Sequence, residues 1–181
     1  MSGYFALLRG INVGGRGALK MDALRKAFES MGFSSVTTFI ASGNVYFEAR
    51  AAGGAVLERM LDKGLTLRLG RPTTTFVRTV AEMRRIAAHD PFKSDAMTNA
   101  DINIVFLGRK PAEAALRMLN ALSPRTDEFR AHGREIYWLR RKLPGRPDYA
   151  SVPLDKALRA PFTTRGLRTL QKMTARYAAA M

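Results

Sequence analysis

The order of strand-like and helix-like patterns in residues 1–80 is the feature that most restricts the fold. Apolar or β-branched runs predict strands, and apolar residues at helical spacing predict helices. These patterns follow one another as Gly3–Leu8 (strand), Met21–Met31 (helix), Val36–Ile40 and Val45–Phe47 (a hairpin), Val56–Leu61 (helix) and Thr73–Val80 (strand). The order βαββαβ is that of the split, ferredoxin-like fold. It predicts an antiparallel sheet covered by helices, with four buried side chains: Leu7, Phe28, Val45 and Phe47.

Residues 81–181 repeat most of this order. The patterns are Ala81–Ala88 (helix), Ile102–Leu107 (an apolar strand), a helix opening at Pro111, Glu128–Ala131 and Ile136–Leu139 (a hairpin), and Val152–Arg159 and Thr164–Ala179 (helices). No strand that would complete a second βαββαβ set is recognisable, so the duplication rests on element order alone. We therefore predict an α+β protein of two ferredoxin-like halves. The first spans 1–80, and the second spans 81–181 and ends in extra helices.

Composition excludes several classes of site. The chain has no Cys, which excludes disulfides, thiol nucleophiles and Cys-type zinc sites. Its two histidines, His89 and His132, are too few for a His-rich metal site, and no pattern indicates a metal or another cofactor. The opening apolar run is too short for a signal peptide, and no run is long enough to span a bilayer. We expect a cytoplasmic protein without a membrane partner, and no pattern indicates its oligomeric state.

The net charge of the chain is +15, with a pI near 11.0. A field of this sign attracts polyanions such as nucleic acids. Arginine and alanine are both abundant, however, so the charge has a second explanation in a compositional bias of the genome. Composition alone leaves both explanations open.

Several segments of the chain resemble a bacterial family called domain of unknown function 1697. The segments that carry the resemblance are Tyr4–Gly15, Lys20–Leu24, Gly32–Phe33, Val36–Thr38, Ser42–Phe47 and Thr163–Arg165, so it extends over essentially the whole chain. The resemblance implies two ferredoxin-like halves and no established activity. Members usually follow the Thr-Thr-Arg with Asn and an aromatic residue, where this chain has Gly166 and Leu167, and they tend to carry a Ser-Lys pair where this chain has Ser151 and Val152.

The glycine-rich stretch between the first strand and the first helix is a candidate anion site. Backbone amides next to glycines can approach an anion closely, and an arginine fork matches phosphate or carboxylate oxygens. Arg9 ends the first strand and Asn44 begins the third, which is its antiparallel neighbour, so both should lie at one edge of the sheet. The predicted ligand-binding residues are Arg9, Asn12, Gly14, Gly15, Lys20, Asn44 and Arg165.

Two simpler interpretations of this stretch remain open. Arg9 and Asn12 could instead tie down the loop through hydrogen bonds to backbone carbonyls, and Ser42–Asn44 is typical of a tight turn. The glycines nearly match a phosphate-binding P-loop, but Arg16 and Gly17 stand where that motif needs Lys and Ser or Thr.

The last helical pattern has a basic side. Arg165, Arg168, Lys172 and Arg176 fall on one face at helical spacing, and Leu167, Leu170, Met173 and Tyr177 fall on the opposite face. Exposed helix faces usually mix both signs of charge, so this face predicts nucleic-acid binding by Arg168, Lys172 and Arg176. The alternative is an ordinary solvated face of an amphipathic helix.

Taken together, the patterns predict binding of a phosphate-bearing ligand, either a nucleotide-like molecule or nucleic acid. Catalysis is not indicated, because no pair of residues stands out as acid and base. One alternative is a small enzyme that uses Arg9, Asn12, Lys20, Asn44 and Arg165 around a cleft. Another is a protein-interaction module.

Overall fold

A computed structural model describes residues 1–11, 19–40, 43–92, 100–123, 125–141 and 152–177. The helices and strands in these residues are, in chain order, β1 (Ser2–Leu8), α1 (Met21–Glu29), β2 (Ser34–Phe39), β3 (Asn44–Ala49), α2 (Gly54–Leu69), β4 (Thr75–Thr79), α3 (Val80–Ala88), β5 (Ala100–Leu107), α4 (Glu113–Leu122), β6 (Asp127–His132), β7 (Glu135–Arg141), α5 (Leu154–Leu158), β8 (Phe162–Gly166) and α6 (Leu167–Arg176).

The first sheet has the strand order β2-β3-β1-β4, and every neighbouring pair is antiparallel. Helices α1 and α2 cover one face of the sheet, where Leu24, Phe28 and Leu61 join a core with Val45 and Phe47. The predicted βαββαβ fold is confirmed. The four side chains expected in the core, Leu7, Phe28, Val45 and Phe47, are all fully buried.

The second sheet repeats this arrangement, with the order β6-β7-β5-β8 and antiparallel pairs throughout. Helices α4 and α5 supply Leu119, Leu154 and Ala157 to a core that includes Val105 and Ile136 of the sheet. The prediction of two similar α+β halves is therefore confirmed.

The strand β8 corrects the sequence interpretation of the C-terminal region. The helical spacing predicts a helix from Thr164, but residues 162–166 form a strand that pairs with β5, and α6 begins at Leu167. Thr163 and Thr164 are β-branched and Gly166 is a poor helix former, so local propensity already favours a strand here. Pairing with β5 decides the outcome. Arg165 accordingly belongs to the sheet and not to the basic face of the last helix.

The first sheet passes directly into α3 through a capping box. The Thr79 hydroxyl accepts a hydrogen bond from the Glu82 backbone N–H at 3.1 Å. The Glu82 carboxylate in turn accepts from the backbone N–H and the hydroxyl of Thr79, at 2.8 and 3.1 Å. These reciprocal bonds satisfy backbone donors at the start of the helix and fix where the strand ends.

The chain forms two compact units. The boundary between them does not lie after residue 80, where the sequence patterns place it. The first unit contains Met1–Arg85 together with 173–177, and the second contains Ile86–Lys172. Tyr177 joins the aromatic cluster of the first unit: its ring stacks on Tyr46 at 4.1 Å and meets the edge of Phe5 at 5.5 Å between ring centroids. Arg84 also donates a hydrogen bond to the Tyr177 carbonyl at 3.1 Å. None of the helices described is long and apolar enough to cross a membrane.

Candidate ligand-binding surfaces

The predicted anion site lies at one edge of the first sheet. Leu7 of β1 stands opposite Asn44 of β3, and the Leu8 N–H donates to the Gly43 carbonyl at 2.9 Å. This register places Arg9 and Asn44 at the same edge. The side chain of Arg9 is exposed, while its backbone N–H donates to the Thr74 carbonyl at 2.9 Å.

Lys20 is exposed immediately before α1, where its carbonyl accepts the Leu24 N–H at 3.1 Å. Asn44, by contrast, is fully buried, and its Nδ2 donates to the Phe39 carbonyl at 3.1 Å. This bond ties the two ends of the β2–β3 connection together and supports the tight-turn interpretation. Asn12, Gly14 and Gly15 lie outside the described residues, so the structure places only Arg9, Lys20 and Asn44 of the first-unit candidates.

Arg165 is buried in the second unit, and it has a counterpart in the first. Arg165 stands opposite Ile104 in the β5–β8 pair, as Arg78 stands opposite Phe5 in the β1–β4 pair. Each arginine donates from Nη1 to the carbonyl of the preceding residue at 2.8 Å, and Arg165 also donates to the Thr163 hydroxyl at 2.7 Å. Burial lowers the pKa of Arg165 to about 10. The shared geometry indicates that this arginine is part of the repeated scaffold.

Helix α6 presents the predicted basic face. Arg168, Lys172 and Arg176 are exposed, while Leu170 and Met173 are fully buried on the other side. We call these three exposed cations the basic strip. It extends about 12 Å along the helix axis. Residues 167–176 contain no Asp or Glu, so the helix itself supplies no carboxylate to neutralise the strip.

Two arginines of the second unit, the exposed Arg130 and the half-buried Arg141, differ from the strip because they share an acidic partner. Arg130 and Arg141 approach the Glu128 carboxylate at 2.7 and 3.3 Å. Burial raises the pKa of Glu128, but the hydrogen bonds from the two arginines outweigh it and hold the pKa below its ordinary value. These arginines are therefore partly neutralised by the protein.

A cleft of about 340 Å³ lies where β5, β7 and the β8–α6 junction meet in the second unit. Its polar lining comes from Asp101, Asn103, Arg140, Arg168 and Gln171. Gly166 also lines the cleft and stands directly opposite Asn103 in the β5–β8 pair. One cation of the basic strip, Arg168, thus reaches this cleft.

The guanidinium of Arg140 is held firmly in the wall of the cleft. Its central carbon lies 4.2 Å from the centroid of the Trp138 ring, and its Nε lies 3.5 Å from Asp127 Oδ2. The same carboxylate oxygen accepts the indole N–H of Trp138 at 2.7 Å. The stacking and the shared carboxylate fix the position of this positive charge.

Sequence reasoning did not identify most of the cleft residues. Asn103 lies within the run Ile102–Leu107, which we interpret from the sequence as continuously apolar, and this polar residue inside a strand is the signal that could have been used. Gly166 stands out in the sequence only as a departure from the family pattern. Their juxtaposition depends on the pairing of β5 with β8, which the sequence patterns do not reveal.

The sequence profile of the family described as protein of unknown function (DUF1697) matches residues 1–137. The chain belongs to this family. Within the DUF1697 match lie the whole first sheet and part of the second, whereas β8 and α6 follow it. No curated protein matches the sequence.

A solved structure, that of the conserved bacterial protein SP0830 from Streptococcus pneumoniae, is similar to the chain. The TM-score is 0.71 at 18% sequence identity, and the similarity covers 96% of this chain and 97% of that chain. At this level of identity the similarity establishes the fold alone. It extends through both halves of the DUF1697 protein.

Proposed function

We propose that this DUF1697 protein binds phosphate-bearing ligands, and that nucleic acid binds along the basic strip of α6. The basic strip carries the proposal, because it aligns Arg168, Lys172 and Arg176 on one exposed helix face without an acid in the helix. Successive phosphates of a nucleic acid provide a row of negative charges that such a row of cations can contact.

The strip differs from basic surface elsewhere in the chain. On α1, Lys26 is also exposed and Arg25 is half-buried, but Asp22 lies 2.6 Å from Arg25 and 3.0 Å from Lys26, and Glu29 lies 2.6 Å from Arg25. A compositional bias toward arginine explains cations in both places. It does not explain why acidic partners accompany the cations of α1 and are missing from α6.

The proposal is tested by measuring the affinity for a short single-stranded RNA over a range of salt concentrations. Replacing Arg168, Lys172 and Arg176 with Gln should weaken binding, and each lost phosphate contact should reduce the slope of log affinity against log salt by about 0.7. Fluorescence anisotropy of labelled RNA provides the measurement.

The matched control is the triple replacement of Arg25, Lys26 and Lys63 with Gln. Lys26 and Lys63 are exposed and Arg25 is half-buried, and the three replacements remove three positive charges, as many as in the strip variant. The control variant should lose much less affinity and keep most of the salt slope. Equal losses in the two variants would show that net charge alone attracts RNA, and an absence of RNA binding by the unaltered chain at low salt would refute the proposal.

A further inference from the structure

We propose that the cleft beside Gly166 binds one mononucleotide, either a separate molecule or the phosphorylated end of a strand. The proposal rests on the proposed function, because Arg168 belongs both to the basic strip and to the cleft. It goes further by assigning a second, smaller site with its own ligand class to the second unit.

The glycine is the first reason to regard this cleft as a site. Gly166 is the last residue of β8, and a glycine in a strand often marks a place where a ligand approaches closely. The backbone of Gly166 does not adopt a left-handed conformation, and a Cβ built on it would meet no atom closer than Asn103 Oδ1 and Thr169 Oγ1, both at 4.0 Å. Neither backbone strain nor crowding thus requires glycine here. Its effect is to leave the sheet face open beside the Asn103 amide.

In the first unit, the equivalent position of the same scaffold is filled by a packed side chain. Tyr4 stands opposite Thr79 in the β1–β4 pair, as Asn103 stands opposite Gly166 in the β5–β8 pair. The Tyr4 ring is 2% exposed and stacks on Phe47, with 5.6 Å between the ring centroids. The second unit therefore has an amide and a glycine where the first has a packed aromatic ring and a threonine.

The side chains that line the cleft determine the ligand class. Arg168 supplies a positive charge, and Arg140 supplies a second guanidinium whose charge is partly balanced by Asp127, 3.5 Å from its Nε. A guanidinium fork matches a phosphate group. The amides of Asn103 and Gln171 each offer a donor and an acceptor, which is the pair that reads the edge of a nucleobase. Asp101 supplies an acceptor for a sugar hydroxyl. Phosphate, base and sugar thus each have a complementary group in a cleft whose volume falls within the range of small-ligand sites.

The first experiment measures binding of adenosine 5′-monophosphate to the full-length chain by calorimetry. The fluorescence of Trp138, the single tryptophan of the chain, gives a second readout because Arg140 stacks on its ring. We expect saturable binding, with at most weak binding of inorganic phosphate or adenosine alone. Leu in place of Gly166 should fill the cleft and weaken binding at least tenfold, which is about 1.4 kcal/mol. Ala in its place is the matched control and should have little effect.

Asn103→Asp provides a second variant that keeps the side-chain shape if Gly166→Leu fails to fold. Its negative charge should repel the phosphate-bearing ligand and weaken binding by a similar factor, while circular dichroism stays unchanged. Unaltered affinity in this variant, or no saturable binding of adenosine 5′-monophosphate by the original chain, would overturn the proposal.

An RNA with a 5′-phosphate, compared with the same RNA lacking it, distinguishes the two sources of the ligand. A preference for the phosphorylated strand that disappears in Asn103→Asp supports a strand end, and no preference together with binding of the mononucleotide supports a separate molecule. Replacing Lys172 and Arg176, which lie outside the cleft lining, should reduce RNA affinity and leave binding of the mononucleotide unchanged. If RNA affinity stays the same in that double variant, the strip proposal fails while the cleft result stands.

Discussion

The two units retain one arginine at equivalent positions and differ in the residue that follows it. Arg78 and Arg165 are both buried, and each donates to the carbonyl of the preceding residue. The next residue is Thr79 in the first unit, where it forms the capping box with Glu82, and Gly166 in the second, where it borders the cleft. The comparison teaches that the sheet and its buried arginine form the common scaffold, while the residues at the strand ends give each unit its own surface.

The largest predicted effect on stability comes from replacing Tyr4 of the first unit with asparagine, the residue at the equivalent position of the second unit. Tyr4→Asn removes a ring that packs on Phe47 and should lower the free energy of unfolding by about 3–5 kcal/mol, the usual cost of removing a buried aromatic side chain. Urea denaturation followed by circular dichroism measures the change. Asn103→Ala at the equivalent position should cost less than about 1 kcal/mol, because no packed ring is lost.

Tyr4→Phe separates the two contributions of this side chain. The Tyr4 hydroxyl donates to the Ala52 carbonyl and accepts from the Ala52 N–H, both at 3.1 Å. Keeping the ring and losing only these bonds should cost about 1 kcal/mol. If Tyr4→Asn were no more destabilising than Tyr4→Phe, the ring would not be what closes the first unit.

An effect smaller than that of Tyr4→Asn should follow from Tyr177→Ala. The substitution removes the stack on Tyr46 and the edge contact with Phe5, and we expect a loss of about 2 kcal/mol in the free energy of unfolding. Tyr177→Phe keeps both ring contacts and serves as the control. Equal stability of Tyr177→Ala and the original chain would show that the first unit is complete without its C-terminal residues.

Replacing the last residue of β4 or of β8 with alanine should change the stability of the protein in opposite directions. Thr79→Ala removes the cap of α3 and should destabilise the protein by about 1 kcal/mol. Gly166→Ala should stabilise it by up to about 1 kcal/mol, since the backbone accepts a side chain and the unfolded chain loses freedom. Thermal denaturation of both variants under one set of conditions makes the comparison. A destabilised Gly166→Ala would mean that the position requires glycine for packing.

The smallest predicted effect is a pH dependence confined to the second unit, which contains both histidines. His89 stacks on His132 at 4.2 Å between ring centroids. Burial lowers the pKa of His89, the nearby His132 lowers it further, and Asp90 acts in the opposite direction. The unfolded chain therefore takes up this proton more readily than the folded one, so stability should fall as the pH decreases from about 6.5 toward the folded pKa.

Melting temperatures at pH 7.5 and 5.5 measure this effect. His89→Phe, which keeps a ring and cannot be protonated, should reduce the acid-induced decrease, and His132→Gln should reduce it partly. An identical decrease in His89→Phe and the original chain would assign the pH dependence to other groups.

The sequence is sufficient to predict most of the fold, because its first unit has strong local patterns. Helix α1 carries Leu24 and Phe28 at helical spacing, and β1 is apolar along most of its length, so the elements are recognisable without their neighbours. Strand β8 is different, since it is only five residues long and continues into a helix that shares its basic residues. Whether these residues form a strand or a helix depends on their pairing with β5, which lies far away in the chain. Local sequence patterns hold no information about that pairing.

The candidate sites were predictable to very different extents. The exposure of Arg168, Lys172 and Arg176 follows from helical spacing, because that pattern is local. Arg165 fits the basic face of the helical pattern and yet lies buried in β8. The cleft depends on Asn103 and Gly166, whose side-by-side position is a consequence of sheet register. Register is determined by tertiary packing, so neither residue alone indicates a cavity.

The place of Tyr177 in the first unit has a consequence for how the protein is made. A ribosome synthesises residues 1–85 first, then the whole second unit, and only afterwards the residues from Met173 to Tyr177. The sheet of the first unit can form early, but its aromatic cluster remains incomplete until Tyr177 reaches Tyr46 and Phe5. The half of the protein that is translated first is thus the half that finishes folding last, which reverses the usual order for successive domains.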